Sequence, residues 1–455
     1  MSTPTDDPGT PDLDQRLRTI FTEPTMSLPI PPGQWDRVVG EARRRRRRGQ
    51  MFVLSTAAAV VLLAGGVASV APRLTGESTA TRGSATSQIS TAAQGGEQSA
   101  PAPATSAGVG GAGLPAGAWV PAGFHPTSVT TAADGVLYAL GRAPCATSPC
   151  TSLVRSTDWG RHWVGLQPPR VALSVLGTPA LSTGTVTDVR FANPRDGWVF
   201  GGGLWSTHDG AASTATWRRI DLGATVLDLA TDGRQVWAFV ASCTASQCRD
   251  GRLLASPVGA DHFTAVDGVA VPGELAGARL NATAGAVTLT VSGPQPLLFV
   301  RDAHRWAARA TPCQAGPGML QEAVPSAVDP AVVVATCATA GAGQVSLTTY
   351  VALDSGVSWH RTGNPVRVRN GAHQLAVVDA GLLALAAGST AGGGALLVSQ
   401  DSGAAWHPAA VPIQQDGWAW VGAAGGRVLL ALPVSGERLW MSTDGGQSWR
   451  ALTVR

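Results

Sequence analysis

The chain has 455 residues, with 56 glycines, 31 prolines and only 14% charged residues. This length requires several domains or one large repeat architecture, and the glycine and proline content excludes a long coiled coil or helical bundle. A hydrophobic fraction of 44% with 15 tryptophans excludes wholesale disorder, and a net charge of +3 gives no basis for a nucleic-acid partner.

Residues 1–50 read as a cytoplasmic tail. Leu13, Leu17, Ile20 and Phe21 recur at helical spacing, and Trp35, Val38 and Val39 form a second short helical candidate after a proline-rich break. The tail ends in six consecutive arginines at 43–48. Every basic residue of the chain is arginine, a compositional trait of GC-rich coding sequence, but these six have a location that carries meaning.

Residues 51–71 (MFVLSTAAAVVLLAGGVASVA) contain no charge and have the length of a membrane-crossing helix. The arginine block on their N-terminal side orients the span with the tail inside and everything after it outside, and attracts anionic headgroups of the cytoplasmic membrane. A cleaved signal peptide, with small residues at Ala68–Ala71 as the cleavage site, is the alternative. A 50-residue leader is long for that role, so the reading is an uncleaved single-pass anchor.

Residues 72–115 hold no aromatic residue and four charges, with Ala, Ser, Thr, Gly, Gln and Pro making up most of the rest. Such a segment cannot bury enough apolar surface to offset its ordering entropy, so it is expected to be a disordered linker, with a root-mean-square span of about 35–40 Å.

From residue 116 to 455 the dominant signal is internal repetition. The pattern Ser-x-Asp-x-Gly-x-x-Trp occurs three times: Ser156, Asp158, Gly160 and Trp163; Ser399, Asp401, Gly403 and Trp406; and Ser442, Asp444, Gly446 and Trp449. Asp354, Gly356 and Trp359 form a fourth copy without the serine. Weaker copies lie at Ser206–Trp217, with His208 where aspartate is expected, at Asp302–Trp306 and around Asp261. With Asp209 taken in the second copy, intervals between successive aspartates are 51, 52, 41, 52, 47 and 43 residues, so each repeat is one supersecondary unit and seven units fill the region. Short alternating stretches, such as 186–191, 197–201 and 217–222, are read as strands, giving an all-β fold.

These boxes resemble the Asp-box, or BNR repeat, of sialidase-like β-propellers, here on a chain of bacterial, actinobacterial type. The string FANPRDGWVFGG ahead of the second copy resembles blades of photosystem II assembly-factor propellers. The resemblance implies a seven-bladed β-propeller with the boxes on the blade periphery, away from a ligand face. It assigns the box residues a structural role: Asp and Ser accept turn N–H groups, Gly supplies an unusual backbone conformation, and Trp buries its ring.

All six cysteines follow the span, as an oxidising compartment would require. Fifteen pairings are possible for six cysteines. The repeat register favours Cys145–Cys150 and Cys243–Cys248 as hairpin staples, leaving Cys313–Cys337. Zinc is the alternative, but the two Cys-x4-Cys pairs stand 98 residues apart with nothing nearby to complete a ligand set.

Sialidase chemistry requires a tyrosine nucleophile with a glutamate, an arginine triad and an acid/base aspartate. The region offers Tyr138 and Tyr350, and Glu274, Glu322 and Glu437, without the family's Arg-Ile-Pro signature. No catalytic set, cofactor or metal is therefore expected. The sequence reading is a membrane-anchored extracytoplasmic propeller that binds a protein or cell-wall glycan without catalysis. A divergent glycoside hydrolase is the alternative, and coupling to the cytoplasmic tail a third possibility. Two carboxylates at one channel mouth would favour the hydrolase.

Overall fold

The computed structural model describes residues 114–455, apart from 146–149, 175–181, 245–246, 303–304, 316–317, 342, 370–372, 389–393 and 415. The expected tail, membrane span and nearly all of the linker lie outside the described residues. Among the described residues, no helix is long and apolar enough to cross a membrane.

The described chain folds into seven four-stranded antiparallel sheets, which are the blades of a β-propeller. Blade one comprises His125–Ala133, Val136–Ala143, Cys150–Ser156 and Val164–Leu166. Blade two comprises Asp188–Phe191, Gly197–Gly201, Gly203–Thr207 and Arg218–Arg219. Blade three runs from Thr225–Thr231 through Gln235–Cys243 and Cys248–Pro257 to the long strand Thr264–Leu275. Blades four, five, six and seven begin with Gly277–Thr283, Met319–Pro325, His373–Val377 and Trp418–Ala423. A two-stranded parallel ribbon, Ala172–Leu173 with Thr185–Val186, joins blades one and two. The expected strand over 186–191 is therefore divided: Val186 belongs to the ribbon and only Asp188–Phe191 enters the blade.

The core lies between blades. Each pair of neighbours shares one buried apolar cluster, so side chains alternate between the interface ahead and the interface behind. Tyr138, Leu140 and Leu153 of blade one meet Val189, Phe191 and Val199 of blade two. Trp237, Phe239 and Leu253 of blade three meet Leu280, Val287 and Leu289 of blade four. Tyr138 is fully buried, stacks on Phe191 at 3.6 Å, and donates its hydroxyl to the Pro194 carbonyl at 2.7 Å. Burial pushes its phenol up to about 12, against the pull of Arg155, so it is a packing residue.

Each blade is a contiguous stretch of chain, so no strand is exchanged to close the ring. Closure rests on packing. Leu430, Leu439, Met441 and Leu452 of blade seven bury against Val129, Leu137 and Val154 of blade one. Arg450 adds a bond from Nη2 to the Trp159 carbonyl at 3.0 Å. The segment ahead of blade one also docks on its outer strand, where Ala118 and Gly165 exchange backbone bonds at 2.7 and 2.8 Å.

Cys243 and Cys248 are bonded across the blade-three hairpin, and Cys313 is bonded to Cys337 of blade five. Cys145 is also in a disulfide, while the side chain of Cys150 lies outside the described residues.

Candidate functional site

The turns between third and fourth strands carry the repeat. In blade one, the Ser156 hydroxyl donates to Asp158 Oδ1 at 2.8 Å and accepts the Gly160 N–H at 2.8 Å. Asp158 Oδ1 accepts N–H groups of Arg161 and His162 at 3.0 and 2.9 Å. Trp163 Nε1 donates to the Gly160 carbonyl at 3.1 Å. Blade seven repeats this through Ser442, Asp444, Gly446 and Trp449. In blade six Ser399, Asp401 and Gly403 do the same, but the buried Trp406 Nε1 finds no partner among the described residues. Asp354 accepts from Val357 and Ser358 at 3.0 and 2.9 Å, and Trp359 Nε1 donates to the Ala310 carbonyl.

The turn needs two successive left-handed residues. They are Trp159 and Gly160 in blade one, and Ser402 and Gly403 in blade six, the latter at φ 67° and 84°. A Cβ on Gly403 would stand 2.8 Å from Thr349 Cγ2, so both conformation and space require glycine. The Ser448 hydroxyl and N–H, with Ser442, hold the Asp444 carboxyl down to about 2. At Asp158 burial pushes upward, and the His162 and Ser156 hydrogen bonds outweigh it to leave the carboxyl lowered. Both carboxylates are consumed by their own turns.

Blade two departs from the sequence alignment by one position. Thr207 and Asp209 take the hydroxyl and carboxylate places, bonded at 2.7 Å, and Ala211 takes the glycine place at φ 62°. His208 is thereby released from the aspartate place assigned to it by alignment. It bridges Asp196 Oδ1 at 2.7 Å and Asp261 Oδ2 at 3.0 Å, tying blade two to blade three. Asp261, the weakest copy in the sequence, thus serves a neighbouring blade, also accepting the Ser206 hydroxyl at 2.6 Å. Asp302 accepts from Arg309 Nη2 at 3.2 Å.

The inner ring, formed by the first strands of the blades, carries Asp188, Arg190, Asp228, Arg279 and Glu322. A break in pairing register falls between Pro126 and Ser128, Val226 and Asp228, Leu320 and Glu322, and Trp418 and Trp420. Such a bulge re-aims the following side chain. Ser128 Oγ then accepts the Val189 N–H of blade two at 3.3 Å. Asp228 Oδ2 accepts the Leu280 N–H of blade four at 2.8 Å, and Glu322 Oε2 the Leu375 N–H of blade six at 2.9 Å. The remaining oxygens are also engaged: Asp228 Oδ1 by Leu229 N–H at 2.7 Å, Glu322 Oε1 by Asn281 Nδ2 at 3.1 Å.

Burial pushes both carboxyls up, opposed at Asp228 by Arg190 and Arg279 and at Glu322 by Arg279. At Arg279 burial works against the charge, but Asp228, Glu322 and Asp188 outweigh it and hold the guanidinium protonated. Arg279, on the first strand of blade four, keeps an exposed side chain although protein crowds around it. Among the described residues no group of three or more metal-ligating side chains converges.

Of the glutamates weighed for sialidase chemistry, only Glu322 joins this cluster; Glu274 and Glu437 are exposed elsewhere. Asp188, Arg190, Asp228 and Arg279 were not singled out from sequence. The available signal was an ionisable residue inside an apolar strand, as in TVLDLAT and MLQEAVP.

No protein-family model matches this chain, and no curated protein does. Solved structures that resemble it are β-propeller proteins. A GH74 enzyme of Niastella koreensis shares 13% identity over 72% of this chain and 65% of its own, with a TM-score of 0.38. The chain thus spans less than two thirds of that enzyme. YCF48 from Cyanidioschyzon merolae shares 14% over 71% of this chain and 96% of its own, with a TM-score of 0.46. A PL25 ulvan lyase shares 9% over 71% and 92%, also at 0.46. Identities this low show the fold alone.

Proposed function

We propose that this propeller is the extracytoplasmic binding module of a single-pass membrane protein and that it captures a protein or a cell-wall glycan without catalysis. Its repeated turns are read as the Asp-boxes of sialidase-like propellers, structural in role. The observation that carries the non-enzymatic reading is the inner ring: all four oxygens of Asp228 and Glu322 are taken by N–H donors, three of them from other strands. A carboxylate that holds blades together is not free to activate water or protonate a leaving group. The arginine block, the apolar run at 51–71 and the disulfides support the anchored topology.

One observation favours the hydrolase alternative: burial raises both carboxyls, the direction a general acid needs. The two readings separate in one assay. Full-length protein incubated with a panel of chromogenic glycosides is expected to show no turnover; turnover abolished by Glu322→Gln would establish the hydrolase. For topology, protease added to intact cells is expected to remove the propeller and spare residues 1–50, and the opposite protection pattern would refute the anchor.

A further inference from the structure

Outside the ring, a cleft of 690 Å³ lies between the outer edges of blades one and two. Its volume is that of a small-ligand site. Gln167 and Arg170, just past the last strand of blade one, form one wall. The box turn of blade two, lengthened by the insertion through Ser213, forms the other, with Trp205, Trp217 and Arg219 beside it. Among the described residues no carboxylate lines it. The insertion that weakens the second repeat in sequence is therefore what builds the cleft.

The arginines carry the argument. Arg219 lies over the Trp205 ring at 5.8 Å, which fixes the guanidinium plane. Among the described residues two other arginines lie over aromatic rings, and both are balanced by acids. Arg301 over Trp237 has Asp232 at 3.8 Å, and Arg190 over Phe200 feels Asp228. Arg219 has no carboxylate within ion-pair distance among the described residues; its one hydrogen bond goes from Nη2 to the Thr183 carbonyl at 3.4 Å. Arg170 is exposed and has no partner among the described residues. Two guanidinium groups with unused donors, facing one cleft without an acid, form a site for an anion.

The rest of the lining selects what carries that anion. Trp217 is anchored by Nε1 to the Gln167 carbonyl at 2.8 Å, and Thr214 Oγ1 donates to Gln167 Oε1, leaving the Gln167 amide N–H groups without a partner among the described residues. The amide of Gln167 and the hydroxyls of Ser213 and Thr214 suit the hydroxyls of a sugar, and the exposed edges of the otherwise buried Trp205 and Trp217 line the cleft beside them. We propose that this cleft binds an acidic saccharide, a sugar unit bearing a carboxylate or a phosphate. This rests on the binding reading above and names its ligand class.

The test is titration calorimetry on the full chain in detergent micelles, at low salt. The probes are trigalacturonate, glucose 6-phosphate, neutral galactotriose and the peptide triglutamate. One or both acidic sugars are expected to bind, and which one identifies the anion; the neutral sugar and the peptide are expected to bind at least about tenfold more weakly. Arg170→Gln and Arg219→Gln should each weaken the acidic sugar about tenfold, whereas Arg218→Gln, exposed and outside the cleft, should leave it unchanged. Both cleft variants should melt at the wild-type temperature. No saturable binding of either acidic sugar, equal binding of galactotriose or triglutamate, or indifference to both cleft substitutions would overturn the proposal. Chromatography of trigalacturonate after incubation keeps the two readings apart. Cleavage products would sink the non-enzymatic reading while arginine-dependent binding still upheld the cleft.

Discussion

Blades six and seven hold their outer turns with hydrogen bonds among residues at most four apart in the chain. Among the described residues, blades three and four show no such set of bonds. Blade three instead reaches out: Asp261 binds His208 and Ser206 of blade two, and Asp228 binds Leu280 of blade four, 52 residues away. The repeat signature fades in blade three, where long-range ties take over. A turn tied to itself stabilises one hairpin. A buried carboxylate tied to the next blade stabilises the ring, and cannot be removed without leaving an unpaired donor.

That contrast can be broken experimentally, beginning with Glu322. Glu322→Ala strands the Leu375 N–H and takes one counter-charge from Arg279, so it should cost about 3–5 kcal/mol, read as a lowered urea midpoint. A loss below that of a box aspartate would reverse the ranking of cross-blade over local ties. Cys313→Ser, which opens a loop with a sequence separation of 24, should cost about 3 kcal/mol, and Cys243→Ser, with a separation of 5, about 2 kcal/mol. Equal losses for the two would argue against a loop-length effect. Asp401→Ala in blade six should cost about 1–2 kcal/mol, because it leaves the Ser399 hydroxyl and the Ala405 N–H without their acceptor. Asp302→Ala in blade four, whose carboxylate is about half exposed, should cost no more than about 0.5 kcal/mol.

The smallest effect is a pH dependence. Burial lowers the His208 pKa, but Asp261 and Asp196 outweigh it, so the folded value stands above the unfolded one. The imidazolium clamp therefore stabilises fully below about pH 6.5, the unfolded value, and its contribution is lost as pH rises through the raised folded value. The wild-type melting temperature should fall by about half a degree more than that of His208→Gln between pH 6 and 8. Parallel curves for the two proteins would show that the clamp does not titrate in this window.

The blade-two box shows where reading by alignment fails. Ser206 and His208 match the motif by spacing within the box, whereas the repeat interval falls on Asp209; the turn uses Thr207 and Asp209, and a shift of one residue turns every side chain of a strand to its other face. Only packing against blade three decides which register holds. The inner-ring carboxylates were less visible still. TVLDLAT reads as an apolar strand with one stray charge, and nothing in it announces a bulge or a partner at Leu280.

By itself the sequence determined the all-β class and the number of blades, because box and period are local features: turn donors met by Asp and Ser, and a Trp that must be buried. The register of the repeat also favoured the Cys243–Cys248 pair, and Cys313–Cys337 followed as the pair left over. Tertiary structure alone decided that the ring closes without an exchanged strand, that His208 bridges two blades, and that Asp228 and Glu322 staple an inner ring around Arg279. These contacts join residues tens to hundreds of positions apart, and their energies come from burial and charge, which exist only once the blades have met.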